Sequence, residues 1–454
     1  MNKTISNNTR TLLMVILLVM SFTATLNQTL MVTALPLMMN ILKVNLNTVQ
    51  WLTTGYVLTL GIITPISALL FEKIGNRSLF LTSTFIFLIG TIIGAISNTF
   101  SFILLARIIQ AASGGVIVTF TQILLLKLFP VGKRGIVIGY INLVISAAPA
   151  IGPTLSGFIL NNFKWHTLFS MTIPITVTII ILGFFFLPNY SEVKNIKIDI
   201  LSITSSIFGF GLLLSSFSLF LTKPLLGSIL LIGGLIISAY FVIRQLSSNN
   251  SPLLNIRLLK NCSFRNMTIA IMIIFGILMG TETILPLFTE NILGLSALDT
   301  GLLMLPGAAI MSLLSPVIGK MYDKYGMKII SAVGIVLVII SCLPMMNMTE
   351  QTSVTSIAIV FTFRMLGLGL LMTAMTTEAF KQISQNQVNH AIALNNTLRQ
   401  IGASFFNTLM IGISSISTSF VDGVRWAFGG TLVMALIIVG ILLNYFYNTV
   451  KNNN

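Results

Sequence analysis

The chain has 454 residues, 55% of them hydrophobic and 8% charged, with a formal net charge of +15 and a mean hydropathy of +0.98. A soluble globular domain is roughly one-quarter charged, so this balance excludes one and points to an integral membrane protein. Cys262 and Cys342 lie far apart, and His166 and His390 sit in no ligand-spaced pattern. These four residues therefore argue against a disulfide frame, a metal site or a metal-dependent enzyme; no cofactor is expected.

Apolar runs long enough to cross a bilayer follow one another between charged or Pro/Gly/Asn breaks. They predict helices near 11–34, 47–70, 78–97, 101–126, 135–159, 166–187 and 198–221, then near 225–244, 266–288, 299–319, 329–346, 354–377, 391–416 and 426–447. The first run is too long, and lacks the cleavage site, for a removable signal peptide. Fourteen crossings put both termini on one side. Most of the 25 Lys and Arg fall in the segments 72–77, 127–135, 191–199, 244–265 and 320–328 and in the tails, whereas the opposite loops hold Lys43, Lys164, Lys223 and Arg425. Under the positive-inside rule both termini are cytoplasmic. The same asymmetry explains the net charge without a nucleic-acid partner.

Taken in chain order, four features stand out. The first predicted span contains LNQTLMVTALP (26–36), which sets Asn27, Gln28 and Thr29 in hydrocarbon. The loop after the second, ALLFEKIGNR (68–77), has the same form as the loop after the tenth, GKMYDKYGMK (319–328): small-x-x-x-acid-Lys-x-Gly-x-base, 251 residues apart. Arg107 with Gly114 and Gly115 in the fourth span is likewise matched by Arg364 with Gly367 and Gly369 in the twelfth. Two six-helix bundles, 1–190 and 261–454, are therefore expected to repeat in parallel around an inserted helix pair, 191–260. Repeated bundles with a site between them are the design of alternating-access transporters.

Each feature has a physical reading. Gly75 and Gly326 suit tight turns, and Glu72 and Asp323 can each face the partial positive charge of a neighbouring helix N-terminus. With Arg77 they form the expected conformational latch on the cytoplasmic side. In the fifth span Gly152, Pro153 and Gly157 remove bulk and one backbone hydrogen bond, giving a bent helix with a small-residue face; Pro149 adds to the bend. Arg107 lies inside the bilayer, where a charge is costly unless it finds acceptors; Gln110 and the first span are the candidates. Arg364 and Arg399 face the same demand.

In these motifs the sequence resembles the major facilitator superfamily, and within it the fourteen-span drug:proton antiporters. LNQTLMVTALP looks like the family's L-D-x-T-(I/V)-V-N-x-A-L-P, RIIQAASGG (107–115) like R-x-x-Q-G-x-G-G, and GPTLSG (152–157) like the exporter motif G-P-x-x-G-G. WHTLFSMTIP (165–174) resembles the W-R-x-x-F-x-x-N-x-P stretch. The resemblance covers nearly the whole chain. It implies an all-α membrane protein of the major facilitator fold that exchanges protons for amphipathic drugs across the bacterial cell membrane as a monomer. It also implies that the kinked fifth span seals against the other half.

Two departures matter. Asn27 stands where relatives carry an acid, and Val32 where they carry Asn. An amide cannot titrate, so the proton role does not transfer to position 27. Asn27, Gln28 and Thr29, with Arg107 and Gln110, are expected to supply polar groups to the substrate cavity instead. The acid inside a span is Glu282, in GTETILP of the ninth, the repeat counterpart of the first. An intramembrane acid is a functional candidate by default, so Glu282 is the expected proton carrier, with Glu378 second. The expected cargo is lipophilic and amphipathic, cationic or zwitterionic. The alternative is a proton-coupled exporter of one metabolite, lipid or peptide on the same fold.

Overall fold

The computed structural model describes residues 7–189, 199–247, 252–417 and 419–453. Among them no strand occurs. In hydrocarbon every backbone N–H and C=O must be satisfied within its own segment, and a helix does that. Fourteen long helices result, numbered here α1 (Asn7–Leu30), α2 (Trp51–Ile74), α3 (Asn76–Ile96), α4 (Phe100–Leu128), α5 (Arg134–Asn162), α6 (Thr167–Phe186) and α7 (Ile200–Leu219). Then come α8 (Pro224–Ser247), α9 (Cys262–Asn291), α10 (Ala297–Tyr325), α11 (Met327–Met346), α12 (Val354–Lys381), α13 (Val388–Ser414) and α14 (Phe420–Asn453). Thirteen of them are long and apolar enough to cross a membrane. The exception is α13, which is long enough but interrupted by Asn389, His390, Asn395, Asn396, Arg399 and Gln400. The basic segment expected at 191–199 lies outside the described residues except for Asp199.

Sequence breakers explain where the helices end. The first helix stops at Leu30 rather than near 34, because Pro36 has no N–H for the Val32 carbonyl and its ring crowds that carbonyl, while the same proline suits the first turn of the short helix Leu35–Leu42. Pro65 sits in a 3-10 turn, Thr64–Ile66, that divides α2. Side-chain caps accept from orphan first-turn N–H groups at Asp199 (α7), Asn261 (α9), Ser296 (α10) and Ser353 (α12). Asp199 also receives both Nε (2.8 Å) and Nη2 (2.9 Å) of Arg244, tying α7 to α8. That fork holds the Asp199 carboxyl down to about 2. Its contribution is therefore present above the ordinary carboxylate range and is lost as pH falls through the depressed value.

The packing repeats. Helix α1 lies against α4, α5 and α6, and α9 lies against α12, α13 and α14 in the same pattern. Likewise α4 packs on α2 and α3, as α12 packs on α10 and α11. The pair α7–α8 contacts α2 and α13 through α7, while α8 presents Leu225, Ile229, Ile232 and Ile236 outward. Such a row of exposed aliphatic side chains is suited to lipid rather than water.

The two groups of six meet most closely where α5 crosses α10. A Cβ at Gly139 would come within 2.4 Å of the Ser315 carbonyl oxygen, and one at Gly319 within 2.1 Å of the Gly135 carbonyl oxygen. Only small residues permit that approach. Near the other end of α5, a Cβ at Gly157 would meet nothing within 4 Å. The two helices are thus pressed together at one end. Gly139→Leu should lower the detergent-solubilised melting temperature by the equivalent of roughly 1–3 kcal/mol of overpacking. Gly157→Ala should leave it unchanged or raise it by up to about 1 kcal/mol, through better helix propensity. Thermal unfolding of the two variants side by side checks both signs.

Candidate functional site

Between the two groups lies a central cavity of about 90 Å³. Its walls come from α1 (Thr25, Gln28), α2 (Leu60, Thr64), α4, α5 (Ile145, Ser146, Pro149), α9, α10, α12 and α13. Phe275, Leu278, Met279, Met311 and Met365 make one side apolar and adaptable. Two charged residues line it: Glu282 of α9 and Arg399 of α13. Pockets for drug-sized ligands run to roughly 300–1,000 Å³, so this cavity is small by that measure.

Glu282 has no hydrogen-bond or ion-pair partner among the described residues, although α9 is largely buried. On α9, Phe275, Met279 and Glu282 are spaced four and three residues apart, which sets them on one face. The Arg399 guanidinium rests over the Phe275 ring, 4.5 Å from its centre. Glu282 is thus about 10 Å farther along α9, from the 1.5 Å rise over seven residues.

The polar residues expected in the cavity divide. Gln28 lines it. Arg107 and Gln110 are wholly buried beside it, in an interhelix knot. Arg107 donates from Nε to the Leu52 carbonyl (3.0 Å) and from Nη1 to the Asn27 carbonyl (2.7 Å), and lies over the Tyr56 ring at 4.2 Å. The Asn27 carbonyl belongs to the last turn of α1, whose C=O groups have no helical partner and carry the negative end of the helix dipole. Arg107 meets both needs at once. The Asn27 side chain turns back and donates to the Thr23 carbonyl at 3.0 Å, and Gln110 donates to Thr91 Oγ1 at 2.9 Å. Thr29 Oγ1 donates to the Leu26 carbonyl at 3.2 Å. In the second group Arg364 is also buried, donating to Thr281 Oγ1 (3.0 Å) and Cys342 Sγ (3.3 Å) beneath Phe428.

At the end of the molecule bearing the basic loops, both loop acids cross between the groups. Asp323 accepts from the backbone N–H of Gly135 (2.9 Å) and Ile136 (3.0 Å), in the first turn of α5. Glu72 accepts from Asn389 Nδ2 at 3.1 Å, with His390 Nε2 at 3.6 Å, in the first turn of α13. Gly75 (φ 83°) and Gly326 (φ 75°) both adopt the left-handed backbone that the turns require. Arg77 takes no part in this crossing; it donates to the Phe184 carbonyl at 2.7 Å, joining α3 to α6. Arg134 adds a third crossing through the Phe380 carbonyl.

Gly152 abuts Thr29 of α1: a Cβ there would lie 2.1 Å from Thr29 Oγ1. Ser156 accepts from Thr33 Oγ1 at 2.7 Å. The small face around Pro153 and Gly157 thus meets α1 and open space rather than the second group, because α5 and α10 converge only at the opposite end. Glu378 is buried away from the cavity, near the basic end. It accepts from the Tyr322 and Tyr445 hydroxyls, with Lys381 Nζ at 3.8 Å, clasping α10, α12 and α14.

The repeated helical bundles and the family match together define a membrane transporter. The chain belongs to the Major Facilitator Superfamily, whose family model matches residues 17–407. It is 38% identical over 449 residues to the uncharacterized MFS-type transporter YcnB of Bacillus subtilis, covering 96% of this chain and 94% of that one. The lincomycin resistance protein LmrB of the same organism is 33% identical over 465 residues, covering 97% and 96%. The human organic anion transporter MFSD10 has the same fold, with a TM-score of 0.73 at 13% identity over 95% of this chain and 99% of that one. The protein is a multi-pass component of the bacterial cell membrane.

Sequence reasoning passed over Asn396 and Gln400 on the cavity wall, and Asn142, which donates to Thr373 Oγ1 at 3.1 Å between α5 and α12. The signal was present as the polar run NNTLRQ (395–400).

The crossing contacts predict that Asp323→Ala will loosen the basic end. In a Cys262→Ser background, a cysteine replacing Ser146 on the cavity wall should then react faster with an impermeant maleimide added from that side. Asp323 is exposed, so loss of its two bonds, together worth about 1.5 kcal/mol, should raise the rate roughly tenfold. An unchanged rate would mean that the carboxylate does not hold that end shut.

Proposed function

We propose that the protein is a proton-coupled exporter of amphipathic toxic compounds, working by alternating access between six-helix bundles 1–190 and 261–454, with fourteen crossings and both termini cytoplasmic. The proton binds Glu282. The observation that carries this reading is an acid without a partner among the described residues, on the wall of the central cavity and in the mainly apolar middle of α9. A carboxyl group on a cavity wall can take up a proton when water reaches it and release the proton when cargo takes the water's place. Relatives are consistent with this: LmrB is named for lincomycin resistance.

In this scheme Glu72 and Asp323 latch the cytoplasmic side, and Gly152, Pro153 and Gly157 allow α5 to lean the other way when the latch opens. Gln28 supplies a cavity hydrogen bond, while Asn27, Thr29, Arg107 and Gln110 hold the cavity's α1 wall in place. A charge crossing about 100 mV contributes about 2.3 kcal/mol, enough for roughly fiftyfold accumulation at about 1.4 kcal/mol per decade. One proton per molecule therefore suffices for effective efflux.

Purified Glu282→Gln protein in liposomes should still bind dye, with an affinity that no longer depends on pH, yet lose pH-gradient-driven transport by at least about tenfold. Unaltered proton-driven flux in that variant would remove Glu282 from the coupling role and turn attention to Glu378.

A further inference from the structure

We propose that Arg399 is the receptor for an oxyanion on the transported molecule, so that the favoured cargo is an amphiphile bearing a carboxylate, sulfonate or phosphate group. The inference rests on the exporter reading above and narrows its substrate class.

The fully buried arginines of the described spans are engaged. Arg107 has three carbonyl acceptors, Arg364 has a hydroxyl and a thiol, and Arg134 has the Phe380 carbonyl. Arg399 makes no hydrogen bond or ion pair among the described residues. Its Nε is buried without an acceptor, and its charge touches only the Phe275 ring. An arginine cannot escape this by losing its proton, since guanidinium stays charged in proteins and offers five donors and no acceptor. A charge left without a hydrogen-bond acceptor in such surroundings is unfavourable. Its planar fork fits a carboxylate or phosphate with two parallel hydrogen bonds.

Position sharpens the argument. Arg399 and Asn396 line both the central cavity and a narrower crevice that runs on toward Asn142 and Phe380 at the latched end. Arg399 therefore sits at the cavity floor. Glu282, the sole acid on the wall, sits about two helical turns beyond Phe275 on α9, and no ion pair among the described residues joins it to Arg399. A cargo with an oxyanion at the floor and an apolar body against Phe275, Met279 and Met311 satisfies the arginine. A cationic group at its far end would face Glu282.

The test uses rhodamine B, which carries a free carboxylate, and its ethyl ester, which has the same rings and lacks that charge. Equilibrium binding to the purified full-length protein is measured with no gradient, so the result does not depend on proton coupling. The wild type should bind the acid about tenfold or more tightly than the ester, as expected for one charge-assisted contact. Arg399→Gln should bring the two dyes within about twofold while still binding the ester, and Arg399→Lys should restore part of the preference. Glu282→Gln should keep the acid-over-ester preference, because both dyes carry the same cationic group, and should lose gradient-driven transport, so failure of the coupling scheme and failure of the anion site give different results. The proposal is overturned if the wild type does not prefer the acid, if it binds neither dye, or if Arg399→Gln leaves the preference intact. Displacement of the acid dye by short-chain phosphatidylglycerol, with no transport of that dye, would assign the arginine to a lipid headgroup and also overturn it.

Discussion

A charge in hydrocarbon must find a partner or a use, and the organisation of this protein follows from how each one does so. Arg107 binds the frayed carbonyl end of α1, a negative helix terminus that needs a cation. Asp323 binds the N–H end of α5, a positive terminus that needs an anion. Glu378 is surrounded by hydroxyls, and Glu72 by an amide and an imidazole. These contacts fix the packing within each group of helices and across one end of the molecule. Glu282 and Arg399 are left over, and both face the same cavity.

The contacts also determine which way the cavity faces. The glycines of α5 and α10 let two backbones meet at the basic end, and Asp323 fastens that meeting. The Pro149–Gly157 stretch of α5 then bends toward α1 and away from the second group. The small-residue face has nothing opposite Gly157, while the polar bridges Asn142–Thr373 and Asn396–Gln122 join the two groups of helices.

Much of this was legible in the sequence, for identifiable reasons. Apolar runs announce spans because the bilayer imposes a length, and the paired loops at 68–77 and 319–328 announce the repeat because the same turn demands the same glycine. Glu282 stood out as an acid in a span. What stayed hidden depended on direction or on main-chain atoms. The stop of α1 at Leu30 is set by Pro36, inside a run that otherwise reads as one helix. Asn27 contributes its carbonyl to Arg107 rather than its amide, and no residue type encodes that. Arg399 resembled Arg107 and Arg364 in one dimension; only packing reveals that those two have acceptors and it does not. Arg77 likewise belongs to the loop motif by sequence but to the α3–α6 seam in space.

If Glu282 is where proton and cargo compete, binding of one must displace the other by the same factor in both directions. Adding a transported amphiphile to the purified protein in weakly buffered solution, with a pH indicator present, reads that competition directly. The account predicts release of about one proton per molecule bound by the wild type near neutral pH, and none by Glu282→Gln. Intact binding with no proton released by the wild type at any pH from about 5 to 9 would contradict it.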